Sequence, residues 1–203
     1  MIKRSAIVLV GGEARRAGGR EKYFFEFHGK TFLEHLISSL GSVVDEIILV
    51  ARDPAQYARF SGIPGISITS DIRKGIGPIG GIHAGVQQAR GAFLFVVACD
   101  MPCVNALVVE RLFSLIGAHD AVIPRWEDEM IEPLHAVYRR DALLAYLSGH
   151  HSRSLREMVR HLDVKFVAIA DLRALDPDLR TFTNINDIED LKAFITSIER
   201  EKS

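Results

Sequence analysis

The stretch Leu9-Val10-Gly11-Gly12-Glu13-Ala14-Arg15-Arg16-Ala17-Gly18-Gly19-Arg20-Glu21-Lys22 concentrates glycine and positive charge directly behind an apolar run. Glycines at 11, 12, 18 and 19 permit positive φ and let the backbone approach an anion closely. Successive N–H groups in such a turn cradle phosphate oxygens. Arg15, Arg16, Arg20 and Lys22 add cationic charge suited to a triphosphate, and arginine can bind two oxygens at once. No Gly-Lys-Ser/Thr closes the stretch, so it is not a P-loop, and the Rossmann spacing of glycines is absent.

A second candidate is Asp100, at the end of the apolar run Phe93–Ala98. A carboxylate there can join a hard cation to triphosphate oxygens; the plainer reading is an N-cap or a turn former before Pro102. The third is Asp71, followed by Gly75-Ile76-Gly77-Pro78-Ile79-Gly80-Gly81. Asp71 could end a strand in an Asx turn, or accept hydrogen bonds from a base framed by the glycine backbone. The residues alone leave these two readings even. Cys99 and Cys103 are too few for a disulfide framework or a four-ligand zinc site, and read as reduced thiols. His150 and His151 are adjacent rather than i, i+4, and the other histidines are scattered, so no zinc site is expected.

Those residues must be positioned by a regular alternation. Ser5–Val10, Glu46–Val50, Ile66–Thr69, Phe93–Ala98, Ala121–Ile123, Leu134–Tyr138 and Val164–Ile169 read as strands. Helices are expected over Thr31–Leu40, after the Asp53-Pro54 cap pair, and over Ile79–Arg90, Asn105–Ile116, Asp141–Leu147, Ser154–His161 and Ile188–Glu199. Such alternation predicts an α/β fold with a largely parallel sheet and helices on both faces. Ligands in that fold class bind at the carboxyl ends of the strands, where all three stretches fall.

The chain has 203 residues and a formal net charge of −1, with no basic excess of the kind that nucleic-acid binding needs. No run approaches the length of a bilayer span, and the short run Ala6–Val10 does not make a signal peptide. No composition break places a linker, so residues 1–203 are read as one domain. A cytoplasmic protein, monomeric or weakly oligomeric, with no nucleic-acid or membrane partner, is expected.

Taken together, these stretches resemble the molybdenum cofactor guanylyltransferases, within the Rossmann-like nucleotidyltransferases. The first loop carries the family's elements as Leu9-Val10-Gly11-Gly12, Arg16, Gly18-Gly19 and Glu21-Lys22. The family's Gly-Pro-Leu-Ala-Gly appears as Gly77 to Gly81, and its Cys-Asp-x-Pro as Cys99 to Pro102. Later come Glu132-Pro133-Leu134, Phe182-Thr183-Asn184-Ile185-Asn186 and Asp190-Leu191. The resemblance implies a three-layer fold with a mostly parallel central sheet. It also implies transfer of GMP from Mg²⁺–GTP to the terminal phosphate of molybdopterin, releasing pyrophosphate.

By position, the resemblance assigns Leu9, Val10, Gly11, Gly12, Lys22, Asp71, Gly77, Pro78 and Asp100 to GTP. Asp100 also serves Mg²⁺, Arg16, Lys22 and Asp100 act in catalysis, and Asn184 and Asn186 lie toward the acceptor. A protein that delivers molybdopterin would be a further partner. Val10 replaces the family's usual alanine, and Glu132 stands where Gln or His is commoner. The family's asparagine after strand two is missing, with Arg52 offered in its place. The alternatives are a cytidylyl enzyme of molybdopterin, a guanylyl enzyme making another cofactor, or a non-catalytic nucleotide-binding partner.

Overall fold

A computed structural model describes residues 3–10, 22–71 and 77–201. Its frame is a seven-stranded sheet in the order β5-β4-β1-β6-β8-β7-β9. The strands are β1 (Arg4–Leu9), β4 (Glu46–Ala51), β5 (Ile66–Ser70), β6 (Phe93–Ala98), β7 (Ala121–Arg125), β8 (His135–Arg139) and β9 (Val164–Ala168). β2 (Glu26–Phe27) and β3 (Lys30–Thr31) form a separate small hairpin. Every pairing in the large sheet is parallel except those of β8, which runs against both β6 and β7. The sheet is therefore mostly parallel, and β8 supplies the exception that the strand pattern did not specify.

Alternation along β1 builds two cores. Ala6, Val8 and Val10 face one layer, with α1 (Phe32–Leu40), α2 (Pro54–Phe60) and α4 (Ala106–Ser114). Ile7 faces the other, with α3 (Pro78–Gln88), α5 (Arg140–Gly149) and α6 (Leu155–Arg160). This doubly covered arrangement is why the central strands read as continuous apolar runs. A third cluster packs Phe25, Phe27, Phe32 and Ile185 against Phe194 and Ile198 of α7 (Ile188–Glu201), joining the hairpin to the last helix.

Helix starts follow their local chemistry. Thr31 and Glu34 form a reciprocal capping box on α1. Asp53 caps α2 by accepting from Gln56 N–H, ahead of Pro54. The glycines of α3, unfavourable for a helix in isolation, are contact residues. A Cβ at Gly85 would come within 2.5 Å of Ile7, and one at Gly81 within 3.1 Å of Leu9. Their absence of side chains sets α3 directly on β1. Among the described residues no helix is long and apolar enough to cross a membrane.

Candidate active site at the upper rim of the sheet

We call the carboxyl ends of the parallel strands the upper rim. Thr69, Val50, Leu9 and Ala98 share one row of register across β5, β4, β1 and β6. Just beyond it the backbones remain stitched. Val10 N–H donates to the Val50 carbonyl at 3.2 Å, Cys99 N–H to Leu9 at 3.0 Å, and Asp71 N–H to Ala51 at 2.8 Å. Leu9, Val10, Asp71 and Asp100 are thus held on neighbouring strand ends by the sheet itself.

Gln56 was not singled out by the sequence, yet it organises this rim. Only 2% exposed, its side-chain amide donates to the Val10 carbonyl at 3.0 Å, and its oxygen accepts from Arg52 N–H at 2.7 Å. One buried side chain therefore joins the end of β1 to the turn after β4. A glutamine at the third position after an Asp-Pro helix start is the available signal, but nothing local shows that it points inward. Arg52 donates from Nε to Asp53 at 2.9 Å, and Asp53, so bonded by Gln56 N–H and Arg52, is held below the usual carboxylate range.

Asp100 does not cap the next helix. That position belongs to Asn105, whose side chain accepts from Leu107 N–H. Asp100 is instead half-buried two residues beyond β6, and its carbonyl accepts from Ile185 N–H at 2.8 Å. This bond brings the tail to the rim, with Asn184 and Asn186 on either side of Ile185. Asn184 is exposed and lines a recess of about 420 Å³ with Arg180, Thr183 and Asp190, while Asn186 N–H donates to Asp190 at 2.8 Å. Gly77, at φ +70°, begins α3 and needs glycine's conformational freedom there, with Pro78 at the first helical position. Gly11, Gly12 and Arg16 lie outside the described residues, as does the side chain of Lys22.

A buried polar cluster fixes the tail from below. Thr181, fully buried, accepts from Asn105 N–H at 3.0 Å and lies 3.1 Å from Nε2 of His135, while its own N–H donates to Asp176 at 2.8 Å. Burial pushes the His135 pKa down to about 3, so the ring is neutral throughout the ordinary pH range. Burial also pushes the Cys103 thiol up to about 12, which removes it as a thiolate nucleophile.

A mostly parallel sheet whose upper rim carries strand-end carboxylates and a returning tail is the architecture of the Rossmann-like nucleotidyltransferases. The chain belongs to the family described as the MobA-like NTP transferase domain, whose model matches residues 6–166. It is 44% identical over 205 residues to a probable molybdenum cofactor guanylyltransferase of Methanosarcina acetivorans, covering 96% of this chain and 91% of that protein. A protein of the same description from Methanosarcina mazei is 45% identical over 202 residues, covering 95% and 90%. Among solved structures, molybdopterin-guanine dinucleotide biosynthesis protein A from Archaeoglobus fulgidus superposes with a TM-score of 0.79 at 31% identity, covering 97% of this chain and 99% of that one.

Proposed function

We infer that the chain transfers GMP from Mg²⁺–GTP to the terminal phosphate of molybdopterin, with residues 1–203 acting as one nucleotidyltransferase domain. The observation that carries the reading is the position of Asp100. Its strand end is bonded to that of Leu9 through Cys99, and its own carbonyl to the Asn184–Asn186 tail. In our reading the nucleotide lies on the first side and the acceptor on the second.

The acceptor's phosphate oxygen attacks the α-phosphorus, a new P–O bond forms, and the bond to the β-phosphate breaks to release pyrophosphate. A phosphate nucleophile is already ionised near neutral pH, so no general base is required. Catalysis is then positioning and charge neutralisation. Leu9 to Gly12 and Lys22 bind the triphosphate, and Arg16 and Lys22 stabilise the departing pyrophosphate. Asp71, with Gly77 and Pro78, receives the guanine, and Asn184 and Asn186 face the acceptor.

Among the described residues no group of three or more His, Cys, Asp or Glu side chains converges on a metal site. The rim offers the half-buried carboxylate of Asp100 beyond β6, and a hard cation such as Mg²⁺ is commonly held by one or two carboxylates together with substrate phosphates. Asp100 would hold the ion, which when bound neutralises charge on the α-phosphate oxygens. The test is to incubate the protein with each of four nucleoside triphosphates, Mg²⁺ and molybdopterin, and to measure pyrophosphate and the nucleotide product. GTP should be preferred; equal turnover with CTP would overturn the guanylyl assignment.

A further inference from the structure

Beyond the tail recess, the upper rim carries a second and larger concavity that the assignments above leave unused. It is a groove of about 590 Å³ between the loop after β7 and the turn after β9, walled by Trp126, Met130, Ile169, Ala170, Arg173 and Leu179. Its volume is that of a small-molecule site, and an aromatic wall with a few polar groups at the edge is the usual composition of one.

Its place on the sheet gives it meaning. Arg125 and Ala168, which border the groove, are register partners at the carboxyl ends of β7 and β9. Asp100 follows β6, the middle strand of the order, so three ladder steps separate it from β5 and three from β9. At the spacing between neighbouring strands each interval is about 14 Å. Asp71 marks the β5 end. The groove marks the other, so an acceptor joined to the α-phosphate near Asp100 can lie along it without overlapping a base held at Asp71.

The groove wall is also continuous with the site. Trp126 packs edge-on against Phe182 at 5.8 Å, and Phe182 lies 4.8 Å from the His135 ring, whose strand partner is Val97. The indole is held in place, because its Nε1–H donates to Glu132 at 2.7 Å. A fixed indole offers a flat face of the kind on which heterocycles stack. Glu127 and Asp128 stand at the groove and supply carboxylate acceptors, which suit a ring bearing an amine and N–H donors.

We propose that this groove receives the pterin end of the acceptor, with Trp126 as its stacking platform and Glu132 as the residue that orients the indole. The proposal rests on the guanylyltransferase reading for the identity of the acceptor. It makes Trp126 and Glu132 determinants of acceptor specificity, separate from the residues that handle GTP.

The test uses Ala170→Trp, which fills the groove from an exposed position, and Trp126→Leu, which removes the platform. Both should raise the acceptor KM at least tenfold and leave the KM for GTP unchanged. The probe for binding without chemistry is a 6-substituted pterin lacking phosphate, titrated calorimetrically. It should bind the wild type and fail to bind Ala170→Trp, with the melting temperature of that variant confirming its fold. Equal pterin binding by wild type and Ala170→Trp, or an unchanged acceptor KM, overturns the groove assignment. A wild-type protein that releases no pyrophosphate with any nucleotide overturns the guanylyl reading instead, and the pterin titration still decides the groove.

Discussion

At the lower rim of the sheet, where the parallel strands begin, Glu46 has each carboxylate oxygen occupied. Oε2 accepts from the Ser5 hydroxyl at 2.7 Å and from Arg90 N–H at 3.0 Å, and Oε1 accepts from Arg90 Nε at 2.7 Å. Gly91 closes the arrangement by donating to the Ser5 hydroxyl at 3.0 Å, so near that a Cβ at Gly91 would stand 2.6 Å from that oxygen. At the upper rim, Asp100 stands half-buried just beyond the end of β6, and its carbonyl accepts from Ile185 N–H. One carboxylate is sealed into the fold by its neighbours, and the other belongs to a residue at the rim where the tail docks. The difference teaches that a strand-end acid must be judged by which end of the strand it occupies and by what the opposing loops have already bonded.

The sharpest way to break this comparison is Asp100→Asn. Under the proposed role in holding Mg²⁺, this change should lower turnover roughly a hundredfold or more, with the melting temperature unchanged. Near-normal turnover at saturating Mg²⁺ would move Asp100 into the structural class with Glu46. The reciprocal change, Glu46→Ala, leaves Ser5 and Arg90 N–H without their acceptor. It should cost about 2–3 kcal/mol of stability, or a fall in melting temperature of about 5–10 °C for a chain of this size. Turnover per folded molecule should hold. A stable variant with impaired catalysis would show that the lower rim communicates with the site.

A smaller effect is expected within the upper rim. Asp71→Ala should erode the preference for GTP over CTP by about tenfold, since losing an acceptor for guanine's paired donors costs about 1–3 kcal/mol. Equal loss of kcat/KM for both nucleotides would separate Asp71 from base choice. The smallest effect concerns acid. Burial alone would raise the Glu46 pKa, but hydrogen bonds from Arg90 and Ser5 outweigh it and hold the carboxyl below its ordinary value of 4.5. A group depressed in the folded state stabilises the fold above its unfolded pKa, and that contribution is lost as pH falls through the folded value. Glu46→Gln should therefore show a shallower loss of stability below about pH 4.5 than the wild type, measured by urea unfolding across that range.

Much of the molecule is legible in the sequence for definite reasons. β6 is buried on both faces, so Phe93 to Ala98 has no polar position to obscure it. Thr31 and Asp53 announce their helices because capping is local chemistry. Gly81 and Gly85 are misleading by the same local logic. They weaken a helix alone, and only the approach of Ile7 and Leu9 explains them. The reversal of β8 is partly hidden. The link from Arg125 to His135 is too short for the crossover that a parallel pair needs, but strand direction leaves no mark on the residues themselves. Asp100 and Asp71 stand out in the sequence by type and position, whereas Asn184 and Asn186 enter only through the family resemblance. Gln56, His135, Thr181 and the Trp126 groove could not, because each depends on partners distant in sequence or on which way a side chain turns.

The bond between Ile185 N–H and the Asp100 carbonyl joins residues far apart along the chain, across β7, β8 and β9. Contacts of such separation form late, after the sheet has closed the intervening loops. The Asn184–Asn186 segment therefore joins the rim only when the tail docks, and its undocking would leave Asp100 without it while the sheet stays folded. The Ile185 amide is accordingly a clock for tail docking. Its hydrogen exchange records how often the tail leaves the rim, as distinct from how often the protein unfolds.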